Sequence, residues 1–275
     1  MLAGIHASVS GGLNNALYTL ESFQLQCGQI FTTNQRQWKG RAIRPEEAER
    51  YRTPRPKVIS HTSYLINLAS SRERVRSDSR MALEEELIRM DQLKIRWTVL
   101  HPGAHTGSGV ILGIKRIASA VRRALRDGPA GTGILLENTA GQGTSIGSSF
   151  EQLREILDCI GLPRRTGVCL DTCHAFAAGY YLSSVEGVLD TVSRFQDVLG
   201  IEKLKAIHMN DSKKERGSFS DRHARIGEGL IGRESLAFLA SMDVFGNTPG
   251  IAETPGTDED RARDILSLTD HSSNF

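Results

Sequence analysis

No run of about 18 consecutive apolar residues occurs anywhere in the chain, which excludes a membrane-spanning helix of ordinary length. The first twelve residues lack both the basic start and the apolar centre of a signal peptide, so a cytoplasmic protein without membrane contact is expected. Cysteine is scarce as well. Cys27, Cys159, Cys169 and Cys173, with no C-x-x-C pair in 275 residues, read as reduced core residues and not as a disulfide framework. Excess charge of one sign is also missing: 34 Lys and Arg face 32 Asp and Glu, a formal net charge of +2. The whole surface therefore cannot act as a field for polyanions, and any nucleic-acid contact must be local. What is present, 39% hydrophobic and 24% charged residues, excludes disorder, collagen and a disulfide miniprotein. The length permits one large α/β domain or two small ones, since α/β barrels reach roughly 250 residues as single units.

Eight short apolar, β-branched runs occur, at residues 2–6, 29–34, 57–61, 96–101, 133–137, 166–171, 205–208 and 250–253. Each stops at a residue that can coordinate or hydrogen-bond: His6, Asn34, His61, His101, Glu137, Asp171, His208 and Glu253. Every interval has room for one strand and one helix, and the intervening stretches show helical periodicity. In residues 110–126, Ile111, Ile114, Ile117, Ala118, Val121 and Leu125 recur three or four apart, with basic residues on the opposite face. SFEQ at 149–152 is a capping-box pattern for a helix running to Leu157, and Gly161 should stop it. Ser183 and Ser184 precede a further helical pattern of Val185, Val188, Leu189, Val192 and Phe195. Eight βα units with no linker between them predict a parallel sheet, most economically closed. The expectation is an α/β fold: one (β/α)8 TIM barrel spanning residues 1–275 as a single domain, its site at the C-terminal rim of the strands. A doubly wound open sheet is the alternative.

On such a rim six side chains able to ligate a metal would meet: His61, His101, Glu137, Asp171, His208 and Glu253. Two further clusters lie just past strands, Asp171-Thr-Cys-His174 and Asp221-Arg-His223. Five of the chain's eight histidines fall in this set. Taken singly, a histidine at a strand end is more often structural than a ligand, an Asp-x-His pair is more often a solvated turn, and Cys173 reads as a small buried apolar residue. Together, four carboxylates and five imidazoles in one pocket would be costly to desolvate without cations. Imidazole and carboxylate without thiolate suit zinc or manganese, with the imidazole share favouring zinc. Nine donors are too many for one ion. At three or four protein ligands each they would serve three, and the resulting excess of positive charge would attract a phosphate.

These residues stand in a series of motifs: GIHASVSGG (4–12), FTTNQRQW (31–38), SHTSYLINL (60–68), LHPGAH (100–105), LENTAGQG (136–143), DTCHAFAAGY (171–180), HMNDSK (208–213), DRHARIGEG (221–229) and AETPG (252–256). In that order and spacing the sequence resembles the endonuclease IV family, the zinc-dependent apurinic/apyrimidinic endonucleases also called AP endonuclease family 2. The resemblance implies one ion on His61, His101 and Glu137. It implies a second on Glu137, Asp171, His208 and Glu253, and a third on His174, Asp221 and His223. It further implies base-excision repair of double-stranded DNA containing abasic sites by a monomer. The phosphodiester 5′ to the abasic site would be hydrolysed, leaving a 3′-hydroxyl and a 5′-deoxyribose phosphate, with Glu137 and Glu253 catalytic. Arg36, Tyr64 and Leu65 match DNA-binding positions that fill the gap left by an extruded nucleotide. Thr62 and Ala252 depart from the usual pattern, and neither removes a ligand.

Two basic stretches would supply phosphate contacts. Arg36, Lys39, Arg41 and Arg44 form one, and Lys213, Lys214, Arg216, Arg222 and Arg225 the other. Trp38 reads as a packing residue. Two rival readings stand beside the nuclease. A single-metal TIM-barrel sugar isomerase or epimerase could use Glu137, Asp171, His208 and Glu253 alone, and a non-catalytic DNA or zinc-binding protein could sit on a decayed nuclease scaffold.

Overall fold

A computed structural model describes residues 1–53 and 56–269; His271, to which the sequence assigns no role, lies outside them. The chain begins with β1 (Leu2–His6), α1 (Leu13–Ser22), β2 (Cys27–Phe31), α2 (Pro45–Arg50), β3 (Lys57–His61) and α3 (Glu73–Gln92). It continues through β4 (Trp97–Leu100), α4 (Val110–Asp127), β5 (Gly133–Glu137), α5 (Phe150–Ile160), β6 (Thr166–Asp171), α6 (Thr172–Ala178) and α7 (Val185–Leu199). β7 (Leu204–His208), β8 (Asp211–Ser212), β9 (His223–Ala224), α8 (Arg233–Ser241), β10 (Pro249–Ala252) and α9 (Asp258–Thr269) complete it. Parallel pairing closes β1, β2, β3, β4, β5, β6, β7 and β10 into a barrel in chain order, as the spacing of the apolar runs anticipates. β8 and β9 form a separate antiparallel ribbon between β7 and α8. Among the described residues no helix is long and apolar enough to cross a membrane.

Period-two alternation sorts the strand residues into two populations. Cys27, Ile59, Val99, Leu135, Cys169, Ala206 and Ile251, one from each of seven strands, pack together as the barrel interior. The outward positions join the helices in the larger apolar cluster. Two residues beyond each interior residue the same face points inward again, one layer nearer the rim. That layer holds Gln29, His61, His101, Glu137, Asp171, His208 and Glu253, with His6 contributed by β1.

One strand differs from expectation by more than one residue at an end. β2 runs from Cys27 to Phe31 and not over 29–34, so Asn34 ends no strand and is exposed in the following loop. Pairing with β3 sets the boundary, because Phe31 lies opposite His61, the last residue of β3, and the polar Thr33 and Asn34 have no ladder to join. The helices show smaller shifts. In α4 the predicted face is buried except Ile111, which is 68% exposed in the first turn. In α7 the buried stripe runs through Val188, Thr191, Phe195 and Leu199, leaving Val185 and Leu189 exposed. The N-terminus of α5 carries half a capping box. Ser149 accepts from Gln152 N, but the Gln152 side chain turns to accept from Gly147 N at 2.7 Å. Gly161 ends that helix at φ 70°, a left-handed conformation that glycine adopts without steric cost.

Candidate metal centre

Six strands deliver donors to one mouth, and Glu137 lies at its centre with no solvent exposure. Its Oε2 lies 3.1 Å from His61 Nε2 and 3.0 Å from His101 Nε2. Its Oε1 lies 3.0 Å from His208 Nδ1. One carboxylate thus faces two donor sets, His61 with His101 on one side and Asp171, His208 and Glu253 on the other. The candidate ligand atoms of each set, Glu137 included, fall within 4.8 Å of one another. Glu253 Oε2 is 3.0 Å from His208 Nδ1, and Asp171 Oδ2 is 3.7 Å from it.

The third set depends on an excursion of the chain. After β7 the ribbon of β8 and β9 folds back over the rim and brings Asp221 within 3.2 Å of His174 Nε2 and 3.3 Å of His223 Nε2. Asp211, wholly buried, holds the ribbon and the segment beyond it. Its carboxylate accepts from the backbone N–H groups of Ser212, Gly227, Gly229 and Ile231 at 2.8–3.1 Å. Asp171 caps α6 by accepting from His174 N at 2.7 Å, which joins the second set to the third. Cys173 also reaches Asp221 and His223. In the metal-free pocket burial and then Asp171 push its thiol up to about 12.

Among the described residues, the charges in the pocket offset one another. Burial works against ionisation of Glu137, yet His101 and His208 hold its carboxyl well below the usual carboxylate range. His208 and His6 do the same for Glu253, also against burial. Asp221 is drawn down to about 2 by His174 and His223, again opposing desolvation. The reciprocal effect raises His174 and His208 well above the ordinary imidazole value despite burial, through Asp171 for the first and through Cys169 and Glu253 for the second. A pocket that keeps buried imidazoles protonated to satisfy its carboxylates fits bound cations. His223 Nε2 fits them too, being buried with no hydrogen-bond partner beside the Asp221 carboxylate.

Tautomers agree with this geometry. His61 Nδ1 donates to Thr62 O at 2.7 Å and His174 Nδ1 donates to Asn138 O at 3.0 Å, which leaves each Nε2 for the pocket. Sequence reasoning missed the neutral amides that do such work. Asn138 exchanges two hydrogen bonds with the Asp171 backbone. Asn210 donates to Asp171 Oδ2 at 2.7 Å and accepts from Glu253 N at 2.9 Å. Their signal was position: each follows a strand-end candidate ligand within two residues.

The rim loops contain the remaining candidates. Arg36 is exposed and lines a cleft of about 730 Å³ that runs from His6 and Glu253 to Arg261. Tyr64 is 62% exposed and Leu65 half-buried, and Ser63 Oγ ties their loop to Gln35 O at 2.9 Å. Trp38, expected to pack, is 38% exposed. Three of the expected phosphate contacts are engaged inside the protein. Arg41 and Arg44 hold the buried Glu47, and Arg225 holds Asp260 and Asp264.

Comparison with known proteins matches residues 23–270 to the family model of the xylose isomerase-like TIM barrel. A probable endonuclease 4 of Chloroflexus aurantiacus is 44% identical over 271 residues, 96% of this chain and 95% of that protein. One of Citrifermentans bemidjiense is 43% identical over 273 residues, covering 97% and 96%. The crystal structure of endonuclease IV from Thermus thermophilus superposes with a TM-score of 0.87 at 30% identity, covering 98% of each chain. With this barrel, this pocket and this degree of likeness along the chain, the protein belongs to the endonuclease IV family of nucleases.

Proposed function

We propose that this nuclease hydrolyses the phosphodiester 5′ to an abasic site in duplex DNA, leaving a 3′-hydroxyl and a 5′-deoxyribose phosphate. It acts as a cytoplasmic monomer in base-excision repair, its residues 1–275 forming one barrel domain with no membrane contact. Three zinc ions are held, with manganese as the alternative at one or more sites: one by His61, His101 and Glu137, one by Glu137, Asp171, His208 and Glu253, and one by His174, Asp221 and His223. The observation that carries this reading is the meeting of nine donor side chains on one rim, with the two oxygens of Glu137 facing different donor sets. Divalent cations bound there supply Lewis-acid charge to phosphate oxygens and acidify water.

The chain's own groups do the rest. Glu253 turns Oε2 toward the space beside His208 and orients the attacking water. Glu137 holds two donor sets at a fixed separation. His174, Asp221 and His223 gather where negative charge grows on the departing oxygen. Arg36 meets the backbone in the cleft, and Tyr64 and Leu65 fill the space left when the abasic nucleotide swings out, a step made cheaper by the missing base.

The sugar-isomerase reading leaves His61, His101, His174, Asp221 and His223 without a role. Incision of a duplex carrying one tetrahydrofuran site, with chelator and with zinc or manganese restored, tests the proposal together with a metal count. Metal-dependent incision with about three ions per chain supports it. About one ion per chain and no incision favours the isomerase.

A further inference from the structure

We infer that Gln29 is the positioning residue that sets how His208 and Glu253 face the pocket. The inference rests on reading that pocket as a metal centre. Gln29 is fully buried on β2, two residues beyond Cys27, in the inward layer that carries the donors. Of the eight side chains in that layer, seven are ionisable and Gln29 is the one amide. No ion needs a neutral amide there.

Its Nε2 lies 2.7 Å from Glu253 Oε1, and its Oε1 lies 2.9 Å from His208 Nε2. A carboxylate can only accept, so the NH2 of the amide must face Glu253 and the carbonyl oxygen must face His208. That carbonyl has no proton to give. His208 must therefore donate from Nε2, and with a cation in place of its second proton Nδ1 would be the nitrogen that keeps a lone pair for the pocket. Nδ1 is the nitrogen 3.0 Å from Glu137 Oε1 and 3.0 Å from Glu253 Oε2. His6 Nδ1, 2.7 Å from Glu253 Oε1, donates to the same oxygen as Gln29. With Oε1 occupied twice, Oε2 is the oxygen turned to the pocket. One amide thus settles two choices, the tautomer of His208 and the presenting oxygen of Glu253. Removing such a partner typically lowers metal affinity about 10- to 100-fold.

The test uses the full chain and two variants, Gln29→Leu and Gln29→Glu, each loaded with zinc. Metal content, zinc affinity by chelator competition and the ring-nitrogen NMR signals of His208 are read together. Gln29→Leu is expected to weaken one zinc by about 10- to 100-fold and to lose the slowly exchanging Nε2–H signal of His208. Gln29→Glu keeps an acceptor opposite His208 and is expected to keep that signal, which a purely space-filling role does not predict. Unchanged affinity and an unchanged His208 signature in Gln29→Leu overturn the inference. Should that variant not fold, loss of the signal in Gln29→Glu overturns it instead. A wild-type chain that takes up no zinc overturns the metal-centre reading itself, an outcome separate from either.

Discussion

Glu253 divides its two oxygens between neighbours, Oε1 to His6 and Gln29 and Oε2 to the space beside His208. Glu253→Gln keeps the shape and removes the charge. Turnover on abasic duplex is expected to fall by two to three orders of magnitude, roughly the penalty for deleting one preorganised group, with little change in melting temperature. Near wild-type incision by this variant takes Glu253 out of the mechanism. His208→Asn should lower the metal content by about one ion per chain, and elemental analysis that finds no change counts against His208 as a ligand. At this scale the sequence was legible where charge marked the role. Six ionisable residues of the pocket, His61, His101, Glu137, Asp171, His208 and Glu253, announced themselves by type and by position at the ends of apolar runs. Gln29, Asn138 and Asn210 did not, because a neutral amide carries no such mark and acts only through neighbours that lie far away in the chain. His105 drew no role from the sequence, and its Nδ1 proves to accept from the N–H groups of Gly107 and Gly109 within its own loop.

At the scale of elements, the ribbon of β8 and β9 decides whether the third donor set exists, and Asp211 holds that ribbon. Asp211→Asn replaces one accepting oxygen with a donor and strands backbone N–H groups, each at a cost of about 1–3 kcal/mol. A lower melting temperature and the loss of about one ion per chain are expected, and full retention of all ions would show that the ribbon stands without Asp211. The basic stretches separate in the same way. Lys213→Ala should reduce the slope of log affinity against log salt by about 1, as for one lost phosphate contact. Arg225→Ala should leave the slope unchanged and lower the melting temperature, because that guanidinium is bound to Asp260 and Asp264. Wild-type slopes in both variants would mean that neither meets DNA. Charge runs in the sequence could not make this distinction, since whether an arginine meets an internal carboxylate depends on which helix packs beside it.

For the whole molecule, cations that bind the folded chain and not the unfolded one add stability by mass action. At a free ion concentration of about 100 times the dissociation constant this is about 2.7 kcal/mol per site. In a chain of this size each kcal/mol moves the midpoint by about 2–4 °C, so chelation should lower the melting temperature by several degrees and zinc should restore it. A pH dependence accompanies it. In the metal-free protein His174 and His208 have folded values raised above the unfolded value. Their contribution is complete below about pH 6.5 and is lost as pH rises through the folded values. Calorimetry should therefore find the chelated protein weakening as the solution is made more alkaline, with the zinc-loaded protein protected. The same midpoint with and without chelator would mean that no ion binds the native state.

The order of residues determined by itself the barrel and which ionisable side chains gather at its mouth. Apolar runs at βα spacing specify the strands and their sequential pairing, and period-two alternation specifies which side chains point inward. Tertiary structure alone decided where β2 ends, that Gln29 stands in the donor layer in place of Asn34, that a ribbon carries Asp221 and His223 over the rim, and which arginines are left for a ligand. The reason is physical. A strand boundary depends on the neighbour it pairs with and a tautomer depends on the acceptor opposite it, and both partners come from distant parts of the chain.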